Sequence, residues 1–266
     1  MKETPPPAVA HNPLAYKNEE FMAADDARPL RILAEYLEPM HRFARQGISG
    51  TIVFFGSARL DPNGPLGRYY EDARTLARLL TTWSASLPAA PGRLVVCSGG
   101  GGGIMEAANR GAAEAGGRTA GLNISLPEEQ QTNPYVTPEL SFEFRYFFMR
   151  KLWFAHMARA FAVFPGGFGT IDEMSEILTL AQTHKLERRI TVLLYGTSYW
   201  KEIINFDALV RHGMINQEDL DLFRFADDPQ NALTQLTEGV AAEPQTPAFA
   251  RSRTSHQTWL YQRSGD

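Results

Sequence analysis

Three apolar runs in the chain end in glycine-bearing turns: Gly56-Ser57-Ala58-Arg59, then Ser98-Gly99-Gly100-Gly101 with two more glycines, then Pro165-Gly166-Gly167-Phe168-Gly169-Thr170. Glycine lets a backbone turn sharply and come close to a ligand, and a helix that follows offers unpaired N–H groups and a positive dipole end. A phosphate is the occupant such loops suit. Three of them beyond the carboxyl ends of strands in one parallel sheet would form one composite pocket. Alternatively, each glycine serves only a tight strand-to-helix turn.

Charged residues stand beside these loops. Glu173 follows Thr170 by three positions, so a carboxylate would sit one turn past a glycine loop and face the ligand. The same spacing is a capping box, with Thr170 capping a helix and Glu173 reaching back to a backbone N–H, and Asp172 then compensates the dipole. Arg150 and Lys151 interrupt a strongly apolar stretch over 146–158. A guanidinium does not shed its charge, so Arg150 calls for an anionic partner, protein or ligand, whereas Lys151 has the length to reach water. His156 reads as a packed or surface histidine, and Cys97, at the end of an apolar run, as a core thiol.

Other phosphate and nucleophile chemistries lack their residues. A G-x-G-x-x-G dinucleotide turn needs glycine where Ile104 stands, and the next strand ends in Leu122-Asn123-Ile124 without a ribose-binding acid. No G-x-x-x-x-G-K-[ST] loop and no G-x-S-x-G elbow occur. With one cysteine there is no zinc spacing and no internal disulfide, so no metal and no cofactor is expected and a reducing compartment is implied.

The elements that must position these residues alternate. Strand-like runs at 51–55, 94–97, 119–124, 160–164 and 190–194 are separated by helical patterns at 69–83, 104–115, 146–158, 171–183 and 200–212, with a Pro-rich loop after the third strand and smaller helical pieces up to 239. Strands apolar throughout, alternating with amphipathic helices, predict an α/β fold: a parallel sheet sandwiched between helices. Ahead of it, Leu30, Leu33, Leu37, Met40 and Phe43 recur at helical spacing, with Pro29 suited to a first turn and Pro39 expected to break or kink the helix. The chain thus divides into a mobile arm (1–26), a helical lead-in (27–48), the main domain (49–240) and a tail (241–266).

At 266 residues the chain is long enough for a large core, and 44% hydrophobic against 21% charged residues excludes disorder or fibre for its bulk. A balance of 26 basic against 30 acidic side chains gives a net charge of −4, which argues against nucleic acid as partner and leaves small anions. The first residues lack an apolar signal core and no run is long enough to cross a bilayer, so no membrane association and a cytoplasmic location are expected.

The run Pro165 to Glu173 resembles the P-G-G-x-G-T-x-x-E signature of the LONELY GUY (LOG) proteins, cytokinin riboside 5′-monophosphate phosphoribohydrolases formerly labelled possible lysine decarboxylases. Arg150-Lys151 looks like the Arg-Lys pair upstream of that signature, and 98–105 like the family's second glycine loop; the likeness runs from about 51 to 225. The resemblance implies a Rossmann-like fold with, in this longer bacterial type, an N-terminal extension, in a homodimer or larger even-numbered oligomer. It implies hydrolysis of the N-glycosidic bond of AMP or an N6-modified AMP, with Glu173 stabilising positive charge on the ribose and Arg150 positioning the ribosyl phosphate or assisting the departing base. The substrate-binding set expected on this basis is Gly56, Ser57, Arg59, Ser98, Gly99, Gly100, Gly101, Met149, Lys151, Pro165, Gly166, Gly167, Phe168, Gly169 and Thr170. Phe148-Met149 stands where plant-type members carry His-Glu. No constellation for pyridoxal phosphate is visible, so decarboxylation is not expected. The alternative from another class is a non-catalytic Rossmann-like carrier of a nucleotide or phosphorylated cofactor.

Overall fold

A computed structural model describes residues 12–87, 93–126, 131–186 and 188–242. In chain order the elements are α1 (Glu19–Ala23), α2 (Arg28–Arg45), β1 (Ile48–Phe55), α3 (Arg68–Ser86), β2 (Arg93–Ser98), α4 (Ile104–Glu114), β3 (Thr119–Ile124), β4 (Ser141–Phe144), α5 (Phe147–Met157), β5 (Ala158–Val163), α6 (Phe168–Gln182), β6 (Thr191–Tyr195), α7 (Thr197–Ile203), α8 (Phe206–Arg211), β7 (Phe223–Ala226) and α9 (Pro229–Ala241). The strands form one parallel sheet in the order β4-β3-β2-β1-β5-β6-β7. Its faces carry separate apolar layers. Ile52, Phe54 and Val96 pack with Leu76, Ile104 and Leu236 of α3, α4 and α9, while Val53, Phe55 and Phe161 pack with Phe43, Trp153 and Ile177 of α2, α5 and α6. This is the expected Rossmann-like sandwich. No helix among the described residues is long and apolar enough to cross a membrane.

The strand order reverses between β1 and β5, and in an open parallel sheet such a reversal opens a crevice at the carboxyl ends of the strands. The first and third glycine turns leave β1 and β5 at that point, and the second leaves the neighbouring β2.

Several elements differ from the sequence expectation for local reasons. The Pro-rich segment after β3 contains β4, four residues paired in register with Gly121–Ile124, too short to show a pattern of its own. The helix expected over 200–212 is two, because Ile204 is extended and the Asn205 side chain caps a new helix at the Ala208 N–H (2.9 Å). β7 lies where smaller helical pieces are expected; it is four residues long and is set by its pairing with β6. Pro39 neither breaks nor ends α2, which runs on to Arg45 with Pro39 buried. The arm expected over 1–26 lies outside the described residues up to 11; from 15 to 27 the chain forms short helical turns. The tail beyond 242 also lies outside them.

A buried amide fixes the second glycine turn. Asn109 of α4 is fully buried, and its Oδ1 accepts from the Ser98 hydroxyl (2.7 Å) and from Asn133 Nδ2 (2.9 Å). Its Nδ2 donates to Thr119 Oγ1 (2.6 Å) and the Ala120 carbonyl (3.2 Å). Ser98 in turn accepts the Gly100 N–H, and Asn133 donates to the Gly100 and Gly101 carbonyls. Every hydrogen-bonding site of the Asn109 amide is used, which is how a polar group survives burial.

Candidate active site

The three glycine turns are hydrogen-bonded into one surface. The Ser57 N–H donates to the Pro165 carbonyl (3.0 Å), joining the first turn to the third, and the Ser57 carbonyl accepts the Ile104 N–H (3.0 Å), joining it to the second. Gly103 has φ +58°, and a side chain there would place Cβ 2.2 Å from the Ser57 carbonyl, so this contact itself demands glycine. The Tyr199 hydroxyl of α7 donates to the Gly166 carbonyl (2.9 Å) and holds the third turn from outside. Between the first and third turns lies a cleft of about 280 Å³, lined by Ser57, Arg59, Leu60, Gly166, Gly167 and Tyr199 among others.

The third turn ends at the start of α6. The helix begins at Phe168, three residues before the expected start, with Gly167 as its N-cap residue and the Ile171 N–H donating to the Gly167 carbonyl (3.0 Å). Thr170 is therefore inside the first turn, buried against Gly166, and Glu173 lies beyond it. The capping-box reading fails on this register: Thr170 caps nothing, and Glu173 is free for another partner.

That partner is Arg150. Its Nη1 lies 3.4 Å from Glu173 Oε1, and both side chains are nearly buried, at 11% and 14% exposure. Arg150 Nε donates to the Leu122 carbonyl at the end of β3 (2.8 Å), and the guanidinium sits 5.1 Å from the centre of the Phe154 ring. Its other terminal nitrogen lies against Gly99, where a Cβ would come within 2.5 Å. Met105 Sδ lies at the same spot (2.6 Å), so a side chain at residue 99 would have to displace Arg150 and Met105 together. Burial pushes the Glu173 carboxyl up to about 7, against the pull of the Arg150 guanidinium. The arrangement sets a carboxylate that titrates near neutral pH beside a permanent cation, next to loops with free amides.

The remaining residues of the expected set divide. Ser98, Gly100 and Gly101 belong to the Asn109 network, and Gly56 packs on Ile104. Gly167 and Gly169 have open space where a Cβ would stand, with nothing within 4 Å. Lys151 turns away from Arg150 to pair with Asp172 (2.6 Å) and Glu176 (3.0 Å). Met149 is buried in the core layer, and Phe168 projects into solvent at 94% exposure. Cys97 is buried, with its thiol driven far up by desolvation, and His156 rests edge-on against Trp153. Among the described residues no group of His, Cys, Asp or Glu could hold a metal ion.

Sequence reading missed several neighbours of the site. Asn123, beside Gly100, donates to Thr132 (2.5 Å), and Glu143 of β4 is raised by burial while Asn123 and the Arg150 charge pull it down. Asn133 and Tyr199 hold loop carbonyls. All act from segments whose position is set only by the sheet; the polar Asn123 in an otherwise apolar strand was the one available signal.

Comparison with known proteins gives the site a context. Residues 105–236 match the family model described as possible lysine decarboxylase. Over 150 residues the chain is 32% identical to LOG4 of rice (Oryza sativa subsp. japonica), a probable cytokinin riboside 5′-monophosphate phosphoribohydrolase, covering 55% of this chain and 64% of that protein, less than two thirds of its length. A second rice protein of the same description, LOGL3, is 27% identical over 210 residues, covering 77% of this chain and 92% of its own. A structural-genomics X-ray structure shares the fold with a TM-score of 0.51 at 21% identity, covering 71% of this chain and 99% of that one. The possible-lysine-decarboxylase model and the curated relatives thus point to one group, and the chain is similar to the LOG proteins over about half its length or more.

Proposed function

We propose that the protein hydrolyses the N-glycosidic bond of a nucleoside 5′-monophosphate, AMP or an N6-modified AMP, to free base and ribose 5-phosphate. The observation that carries this reading is the buried pair of Arg150 and Glu173, 3.4 Å apart and packed against the second glycine turn. Breaking the bond leaves positive charge on the ribose ring as the base departs with the bonding electron pair; water then adds to the anomeric carbon, and the proton it loses balances the one the base takes up. A carboxylate fixed beside the ring lowers the energy of that charge, and more so where water is excluded. Glu173 takes this role, Arg150 steadies the ribosyl phosphate or the base, and the first amides of α6 bind the phosphate. The names of the curated relatives support the same reaction.

The outer faces of α5 and α6 leave a groove of about 490 Å³ lined by Phe148, Leu152, Ala155, His156, Leu180 and Ile190, and Phe147 and Phe148 are half exposed. A second copy of the chain covers this surface in our reading, giving a homodimer or a larger even-numbered oligomer. Light scattering at micromolar concentration should give at least the dimer mass; a monomer contradicts it.

Purified protein incubated with AMP should release adenine, read by chromatography, with much less from adenosine. The rate should rise as pH passes through about 7, where Glu173 becomes ionised. Equal turnover of adenosine removes the phosphate assignment, and binding without release from any monophosphate favours the carrier.

Glu173→Gln should fold and lose ~10²-fold or more in turnover. Its stability follows from the sign of the shift. Because the folded carboxyl is raised, its contribution is fully present below the unfolded value, near 4.5, and is lost as pH rises through about 7. The permanently neutral variant escapes that loss and should be more stable than the parent at pH 8, by up to about 3 kcal/mol, with the gain vanishing near pH 4.5. A variant that is inactive and less stable at pH 8 contradicts the assignment.

Gly169→Ala meets no neighbour and sits in a helix, so denaturant unfolding should show it unchanged or stabilised by about 0.5–1 kcal/mol. If its open space receives the phosphate, the same variant should bind AMP ~10-fold or more weakly. Gly103→Ala is the contrast, destabilised by its clash with Ser57.

A further inference from the structure

The helix that carries Arg150 is held from outside the sheet domain. Tyr146, the N-cap residue of α5, makes no capping hydrogen bond with its own side chain. Glu35 of α2 instead holds the chain where it enters the helix: its Oε1 accepts the Arg145 N–H (2.8 Å) and its Oε2 the N–H of the N-cap residue Tyr146 (3.3 Å). A carboxylate at a helix N-terminus is the favourable polarity.

The same residue grips α5 a second time. Pro39 has no N–H, so the Glu35 carbonyl, four residues before it, has no helical donor. That carbonyl accepts the indole Nε1–H of Trp153 (2.9 Å), a fully buried side chain of α5. Pro39 inside α2 thus has a consequence: it frees one carbonyl to bind another helix. The two grips fall on Tyr146 and Trp153, roughly 10 Å apart along the axis, with Arg150 between them. Arg31 Nε adds a bond to the Tyr146 hydroxyl (3.3 Å), and Tyr36 and Phe43 pack on the Trp153 ring.

We propose that Glu35 is a positioning residue for the Arg150–Glu173 pair, and that the N-terminal helix α2 is part of the support of the active site. A helix fixed at its cap and two turns on neither slides nor rotates. Arg150 has little slack, since it must meet Leu122, Glu173 and Gly99 together, and a misplacement of about 1 Å in such a site can cost ~10²-fold in rate. The inference rests on the proposed hydrolase reading for its kinetic consequence, but its geometric content stands apart from that reading.

The test compares the full-length parent with Glu35→Ala, Glu35→Gln and, as a control, Glu38→Ala, whose residue pairs on the exposed side of α2 with Arg42. Titration of the Glu173 carboxyl is followed by ¹³C NMR, alongside kcat and KM for AMP and the thermal midpoint. Glu173 is faced by Arg150 and Lys151 from α5 and by Asp172 and Glu176 on its own helix. In Glu35→Ala a loosened Arg150 should let the Glu173 midpoint rise by about half a pH unit or more, with kcat down ~10-fold and KM within ~2-fold. Glu35→Gln, which keeps one acceptor oxygen, should fall between, and it decides the matter if the alanine variant does not fold. The control should match the parent. A Glu173 midpoint and a kcat per folded molecule equal to the parent's, with only the thermal midpoint lowered, overturn the proposal. A parent that cleaves no monophosphate removes the hydrolase reading, while the Glu173 titration still decides the positioning claim.

Discussion

A guanidinium cannot give up its proton, and Arg150 is almost wholly removed from water at the carboxyl edge of the sheet. Burying a charge costs several kcal/mol unless its donors and its field are answered, and the surroundings of Arg150 answer both. The Leu122 carbonyl takes one donor, Glu173 supplies the opposite charge, and the Phe154 ring lies beneath the plane. The guanidinium also lies against Gly99, which puts the second glycine turn in direct contact with this one side chain. Much of the local architecture is therefore the housing of one cation.

Glu173 bears the other side of that bargain. Its own burial outweighs the attraction of Arg150, so its carboxyl is held near 7. A carboxylate made reluctant to ionise is less stable than one left in water. Such a group is a natural partner for positive charge that appears only during a reaction, since that charge restores what desolvation removed. The stability forgone at Glu173 and the chemistry proposed for it have the same cause.

The parallel sheet and its main helices were legible because strands apolar throughout and helices with a 3.6-residue period bury predictable faces. The three glycine turns were legible for the same reason, as the ends of those strands. The start of α6 is misread at Thr170 because Thr-x-x-Glu is a genuine capping pattern, whereas the Ile171 N–H already donates to the Gly167 carbonyl and Thr170 lies inside the first turn. Met149 and Lys151 adjoin Arg150 in sequence, yet helical geometry sends Met149 into the core and Lys151 to Asp172. Asn133, Tyr199 and Glu35 could not be found from local pattern at all, since each acts on backbone far away in the chain. Pro39 is instructive: the sequence reading expects it to break or kink α2, yet the helix runs through it, and the carbonyl left without an α-helical donor is taken by Trp153.

In the proposed reaction the ribose lies against one buried ion pair and its phosphate on the first turn of α6. A crystal structure of Glu173→Gln grown with AMP examines that placement directly. It should show the phosphate oxygens on the amides of 167–170 and the anomeric carbon facing the side chain of residue 173, with Arg150 beside it. A nucleotide whose ribose lies away from residue 173 and Arg150, with its phosphate off the α6 terminus, would contradict the proposed roles of both residues.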